Sequence, residues 1–245
     1  MACLALFSTA AARGMPAADT KLAAAAAVLE EFSAQEEQGI PTQLLERAYG
    51  VAVIPNVIRG GFIIGARRGR GVLVVRTPDG GWSNPAFITL TGGSIGWQFG
   101  AESADLVLVF ANKQSVRNIA SGKFTLGGDA SAVAGPLGRH AAAAVTFKAE
   151  VYSYFRSEGL FAGASFEGAR LAIDRDMNRA FYSSDAETAA LNPQNGATPA
   201  SARRFLLALE QASLDGDERA PEPRKTDTPK ETPEKEEAVT FPLEN

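Results

Sequence analysis

Residues 51–76 read VAVIPNVIRGGFIIGARRGRGVLVVR, and their texture decides the fold. Short β-branched runs alternate with glycine, proline and asparagine, the pattern of strands separated by turns. The same texture continues in AFITLT (86–91), SIGWQFG (94–100) and ADLVLVFA (104–111), and returns over 141–157 and 159–173. Many short strands without regular helical crossovers predict an antiparallel sheet closed as a barrel or packed as a sandwich, not a doubly wound nucleotide fold. Gly65, Gly96, Gly163 and Gly168 fall inside these runs, where glycine marks bulges or tight bends.

Helical sequence brackets the strands. After Asp19, a residue suited to capping, TKLAAAAAVLEEFSAQEEQ is rich in strong helix formers. Gly39 and Pro41 break it, TQLLERA makes a second short helix, NKQSVRNIA (112–120) a third, and TPASARRFLLALEQASL (198–214) a C-terminal amphipathic one. The expected class is therefore α+β, with N-terminal helices packed on a curved, largely antiparallel barrel or sandwich and a C-terminal helix.

The chain has 245 residues and a formal net charge of −4. Ten acids and five bases lie in the Pro-, Glu- and Lys-rich stretch 215–245, which has little to bury and is expected to be a disordered tail. The body is close to neutral, unlike the broadly basic domains that bind nucleic acid. A single cysteine, Cys3, excludes an internal disulfide framework, and a single histidine, His140, removes most routes to a zinc site. No metal or other cofactor is expected. Residues 1–18 carry an apolar stretch followed by small residues, a truncated signal segment that lacks the basic n-region. The expectation is export to the periplasm or cell envelope, or a cytoplasmic protein if that segment is not a signal. The folded domain is expected over 19–214.

Three motifs suggest chemistry and are each poorly supported. Gly60 to Gly65 has the glycine spacing of a phosphate loop, but Ala66 stands where the lysine belongs. GGSIG (92–96) matches a nucleophile elbow, with Ser94 as nucleophile, His140 as base and Asp129 as orienting acid, yet more strand follows where a helix is required. Asp174, Asp176, Asn178 and Asp185 have calcium-loop spacing, but Arg179 replaces the turn glycine, so a solvated turn is expected. No catalytic residue is assigned.

The basic residues remain. Arg59, Arg67, Arg68, Arg70 and Arg76 fall within eighteen positions. The expected arrangement is a hairpin, GFIIGAR pairing with GVLVVR across an RGRG turn. Arginines at such a tip either stay solvated and discourage edge pairing or bind phosphate oxygens bidentately.

The stretches IPNV, GGF, GRG, W-S-x-P-x-F, GPLGR and SEGLFAG, in this order between about Ala18 and Tyr182, resemble the SYLF domain family. The resemblance implies binding of anionic phospholipids, including phosphoinositides or phosphatidic acid, without catalysis, in bacterial exported proteins and lipoproteins and in actin-associated yeast proteins. In eukaryotic members it also implies a lysine-rich amphipathic first helix. Here that helix carries one lysine and several glutamates, so actin is not an expected partner. The expected head-group ligands are Arg59, Arg67, Arg68, Arg70 and Arg139, with Phe62, Trp82 or Trp97 at the membrane interface, the two tryptophans being equally suited to the core. The alternatives are an envelope scaffold that binds another protein and, more remotely, the Ser94 hydrolase.

Overall fold

The computed structural model describes residues 16–35, 37–96, 101–122, 124–138, 149–157, 160–163, 168–182 and 198–214. For 59–65, 94–96, 101–102 and 160–163 it describes the backbone alone. Strand β1 is one element of 26 residues, Gly50–Val75. Its first half pairs with β3 (Ala101–Phe110), from Gly50↔Phe110 to Gly60↔Ala101. Its second half pairs with β2 (Ala86–Gly96), from Ile63↔Gly96 to Leu73↔Ala86. β3 and β2 therefore pair antiparallel with successive parts of β1.

This overturns the expected RGRG hairpin. The turn that joins β1 to β2 is Thr77–Gly81, closed by Thr77 N–H to Gly81 O (2.9 Å) and Gly80 N–H to Thr77 O (3.0 Å), with Gly80 at φ +89°. Residues 67–71 lie mid-strand. Their glycines serve close approach, because the second half of β1 lies against the first. A Cβ at position 71 would fall 2.2 Å from Val53 O, and one at 69 would fall 2.7 Å from Ile54 Cγ2. Arg76 N–H closes the loop on Tyr49 O at 2.9 Å. The strand is thus doubled back on itself, and the sheet curls with it.

The sheet has eight strands in the order β4-β8-β2-β1-β3-β6-β5, with β7 paired to β6. The flanking strands are β4 (Phe124–Thr125), β5 (Ala132–Ala134), β6 (Val151–Ser157), β7 (Leu160–Gly163) and β8 (Arg170–Ile173). Every pairing is antiparallel except β5 with β6. The result is a curled half-barrel, as the α+β reading predicts. Both faces of its central strands are buried, which explains unbroken apolar runs such as VAVI and LVLVF. Val51, Val53, Val72, Val74, Phe87, Val107 and Val109 face the helices α1 (Pro16–Ala34), α2 (Thr42–Glu46) and α5 (Ala200–Leu214). The alternate residues Ala52, Ile54, Leu73, Ile88, Leu90, Leu106 and Leu108 pack with α3 (Lys113–Ala120), Phe124 and Leu171.

Helix α1 starts at Pro16, three residues before the expected cap, which leaves Asp19 in its first turn. It buries Ala18, Leu22, Ala25, Ala26, Leu29 and Phe32, a stripe at three- and four-residue spacing. The segment read as a solvated turn is instead helix α4 (Arg175–Tyr182), whose N-terminus is capped by Asp174 Oδ1 accepting from Met177 N–H at 3.2 Å. Pro55 and Asn56 of the IPNV stretch form a bulge in β1, with Asn56 in the left-handed region (φ 54°). Asp105 Oδ1 accepts the Asn56 N–H at 3.0 Å.

Candidate anion-binding face

The pleat divides the arginines that sequence spacing groups together. Side chains alternate along a strand, so Arg68 and Arg70 stand on the same face as Val72 and Val74, the face that carries the helices. Arg67 stands on the opposite face, partly buried. Arg59 pairs in the backbone register with Glu102, but its side chain lies outside the described residues, as does all of Arg139. The same is true of Phe62, Trp97, His140 and Asp185.

Register brings in a residue that spacing did not suggest. Arg68 pairs with Thr91, Thr91 with Arg170, and Arg170 with Thr125. Paired residues share a face, so two exposed arginines from distant parts of the chain stand in one row. They are separated by one strand, about 10 Å at ordinary strand spacing. Arg68 has no ion pair or hydrogen bond among the described residues, while Arg170 Nη2 donates to Gly122 O at 2.6 Å. One pleat along, Arg70 Nε lies 3.4 Å from Asp174 Oδ2. The far side of these strands is core, with Leu90, Leu171 and Phe124 fully buried. The row therefore sits on rigid backbone.

Lys21 of α1 borders this face. It is half-buried, and burial, reinforced by the nearby Arg70 guanidinium and opposed by Asp105, holds its ammonium below the usual lysine range. Nothing in the sequence signals Arg170, since it reaches the row through pairings made only in the folded chain.

Other expected residues have structural work. Arg76 donates to Leu45 O (2.9 Å), Glu46 O (3.2 Å) and Gly80 O (3.0 Å), and its guanidinium lies 3.7 Å from the centroid of the Trp82 ring. It closes the C-terminus of α2, and partial burial lowers its pKa. Trp82 is partly buried against the core under that arginine, so of its two expected places the core is the one found. Ser94 lies within β2 opposite Gly65, and the described residues of GGSIG (92–96) are all strand. Asp129 Oδ2 accepts the Thr125 N–H at 2.7 Å. Asp174 is engaged by Met177 and Arg70, and Asn178 is buried against Phe87. No described helix is long and apolar enough to cross a membrane.

A family model described as Ysc84, "Las17-binding protein actin regulator", matches residues 91–212. Protein YSC84 of Saccharomyces cerevisiae is 37% identical over 183 residues, covering 73% of this chain and 39% of the yeast protein. The chain belongs to the SYLF family. SH3 domain-containing YSC84-like protein 1 is 39% identical over 169 residues in Xenopus laevis and 38% identical over 169 in Homo sapiens, covering 66% of the SYLF chain in both cases. The chain spans half or less of these relatives, 39% of the yeast protein and 50% and 49% of the vertebrate ones. No solved structure matches it.

Several of the SYLF signature stretches here build corners of the fold. The IPNV stretch supplies the bulge held by Asp105. In GPLGR, Gly135 lies against Tyr154, where a Cβ would fall 2.2 Å from the ring. In W-S-x-P, Ser83 Oγ accepts the Val75 N–H at 3.0 Å beside the Arg76–Trp82 stack.

Proposed function

We propose that this SYLF domain binds the anionic head groups of phospholipids, of the phosphoinositide or phosphatidic-acid type, at a membrane surface and without catalysis. The observation that carries the reading is the exposed row Arg68–Thr91–Arg170, flanked by Arg70, on strands fixed from behind by the core. Guanidinium groups match phosphate oxygens in pairs. A basic residue near an anionic membrane contributes about 1 kcal/mol, so three contribute about 3 kcal/mol, enough for reversible and salt-sensitive attachment. Flotation with vesicles of phosphatidylcholine alone or with added phosphatidic acid, at low and high salt, tests the reading. The anionic vesicles should carry the protein at low salt and release it at high salt. Equal failure with both compositions would end the proposal. Export to a cell envelope, the reading of residues 1–18, belongs to the same proposal, and N-terminal sequencing of the mature protein after expression tests it.

A second reading is a scaffold that binds another protein. It is favoured by the relatives, whose family model is described as Las17-binding and actin-regulating. The outer face of α1 presents Ala17, Ala23, Glu30 and Glu31 rather than a lysine run, so no co-sedimentation with filamentous actin is expected. Pelleting with actin at low salt would favour this second reading.

A further inference from the structure

We propose that residues 236–243 of this chain, EEAVTFPL, dock on the outer face of α5. Leu207 and Leu214 stand seven residues apart on that helix, 58% and 63% exposed. Seven residues return to the same face after two turns, so the pair forms one stripe with exposed Ala200, at steps of about 10 Å. The opposite face is committed to the core through Ala202, Phe205, Ala208, Leu209 and Ala212, so α5 cannot roll to bury the leucines. Single exposed apolar residues are ordinary, whereas a repeated pair on one helix face is a contact surface. The stripe is basic at its N-terminal end. Arg203 is exposed there, and Arg204 Nη2 lies 3.4 Å from Glu30 Oε1 with both side chains largely open to solvent. Glu210 and Gln211 lie between the leucines.

The sequence beyond Leu214 holds one segment that fits. Over 215–245 the only aromatic or branched aliphatic residues are Val239, Phe241 and Leu243, and Glu236 and Glu237 precede them directly. Laid along α5 in the helix's own direction, the two glutamates meet Arg203 and Arg204, while Val239 and Leu243 meet Leu207 and Leu214. An extended run from Val239 to Leu243 covers about 13 Å, against about 10 Å between the leucines. The reverse direction would set two glutamates rather than one at the negative end of the helix. Residues 215–235 form the tether. A coil of that length spans about 25 Å on average, and the return from Leu214 to Arg203 is about 16 Å. The segment therefore meets the stripe at an effective concentration in the millimolar range. The tether decides the occupant. Two leucines offer far less than the roughly 1,200 Å² that a stable interface with a free partner or a second copy buries, whereas a tethered segment needs only a weak contact.

A nitroxide at Ala200→Cys, in a Cys3→Ser background that leaves one thiol, reports on whatever approaches the stripe. Amide signals of the full chain, labelled with nitrogen-15, give the attenuation residue by residue. Docking makes the profile along 215–245 rise again. Val239, Phe241 and Leu243 should lose about twofold or more signal relative to residues 226–232, although they lie further along the chain from α5. Phe241→Ser, which lies beyond the folded domain, and the double variant Leu207→Gln, Leu214→Gln should each restore a smooth decline with distance from Leu214. Glu236→Lys with Glu237→Lys should reduce the attenuation at 239–243. A smooth decline in the wild type overturns the contact, as does attenuation that persists undiminished in any of these variants. Attenuation of nitrogen-15 chains without nitroxide, when mixed with unlabelled chains that carry it, assigns the segment to a second copy and overturns the intramolecular contact.

Discussion

Asn178 of α4 hydrogen-bonds the backbone of Phe87 as a neighbouring strand would. Its Nδ2 donates to Phe87 O at 2.8 Å, and its Oδ1 accepts the Phe87 N–H at 2.9 Å. The side chain is fully buried and also donates to Asp174 O at 2.8 Å. It docks α4 against β2 and so holds Asp174 beside Arg70. Asn178→Ala should cost about 2–3 kcal/mol in urea unfolding, because the Phe87 N–H is left buried and unpaired while its carbonyl keeps only the Asp174 N–H. Asn178→Leu, which fills the volume without the bonds, should not restore the loss.

The doubled strand makes two glycines respond in opposite directions. Gly71→Ala places a methyl 2.2 Å from Val53 O, a backbone atom that cannot rotate away. It should destabilise by about 3 kcal/mol or more. At Gly93 a Cβ meets nothing within 4 Å, so Gly93→Ala should stabilise by about 0.5 kcal/mol through lower backbone entropy in the unfolded chain. Paired thermal melts of the two variants give the comparison.

Asp105 joins the β1 bulge to β6 and α1. Replacing it with Asn keeps the shape but leaves Arg156 without its buried counter-ion, and should cost about 3 kcal/mol. Glu31→Gln breaks the outer half of the same network at a more exposed position and should cost about 0.5 kcal/mol. A double-mutant cycle between Asp105 and Glu31 separates the two contributions.

Burial pushes the phenols of Tyr154 and Tyr182 above the ordinary tyrosine range, Tyr154 under a further influence of Tyr152. The native state keeps protons that the unfolded chain loses above about pH 10. Each raised phenol therefore contributes stability that is full below that pH and declines as pH rises toward the folded-state value, by about 1.4 kcal/mol per pH unit. Urea melts between pH 9 and 11.5 should show this decline. The Tyr154 hydroxyl is buried without a hydrogen-bond partner among the described residues. Tyr154→Phe should therefore leave stability at neutral pH equal or higher and shallow the alkaline slope.

The class of fold and the described helices other than α4 were legible because their signals are local. Alternation, alanine content and punctuation by Gly39 and Pro41 need no knowledge of distant residues. The RGRG stretch misled because glycine has two uses with one appearance, the turn and the close approach. Only the Val53 carbonyl, eighteen positions away, tells them apart at Gly71. The face bearing Arg68 was half legible. Its β1 arginines are close in sequence, but the pleat removes Arg67 from them, and β8 adds Arg170 through a register that exists only in the folded sheet.

The first and last described helices cover the same face of the sheet, α1 and α5 packing together with Arg204 Nη2 3.4 Å from Glu30 Oε1. This sets an order on synthesis. When α1 leaves the ribosome the strands it covers do not yet exist, and when they do its helical neighbour is still unmade. Its apolar stripe stays open until residue 214 has emerged, so the half-finished chain is the form most exposed to chaperones, to proteases and to any membrane nearby.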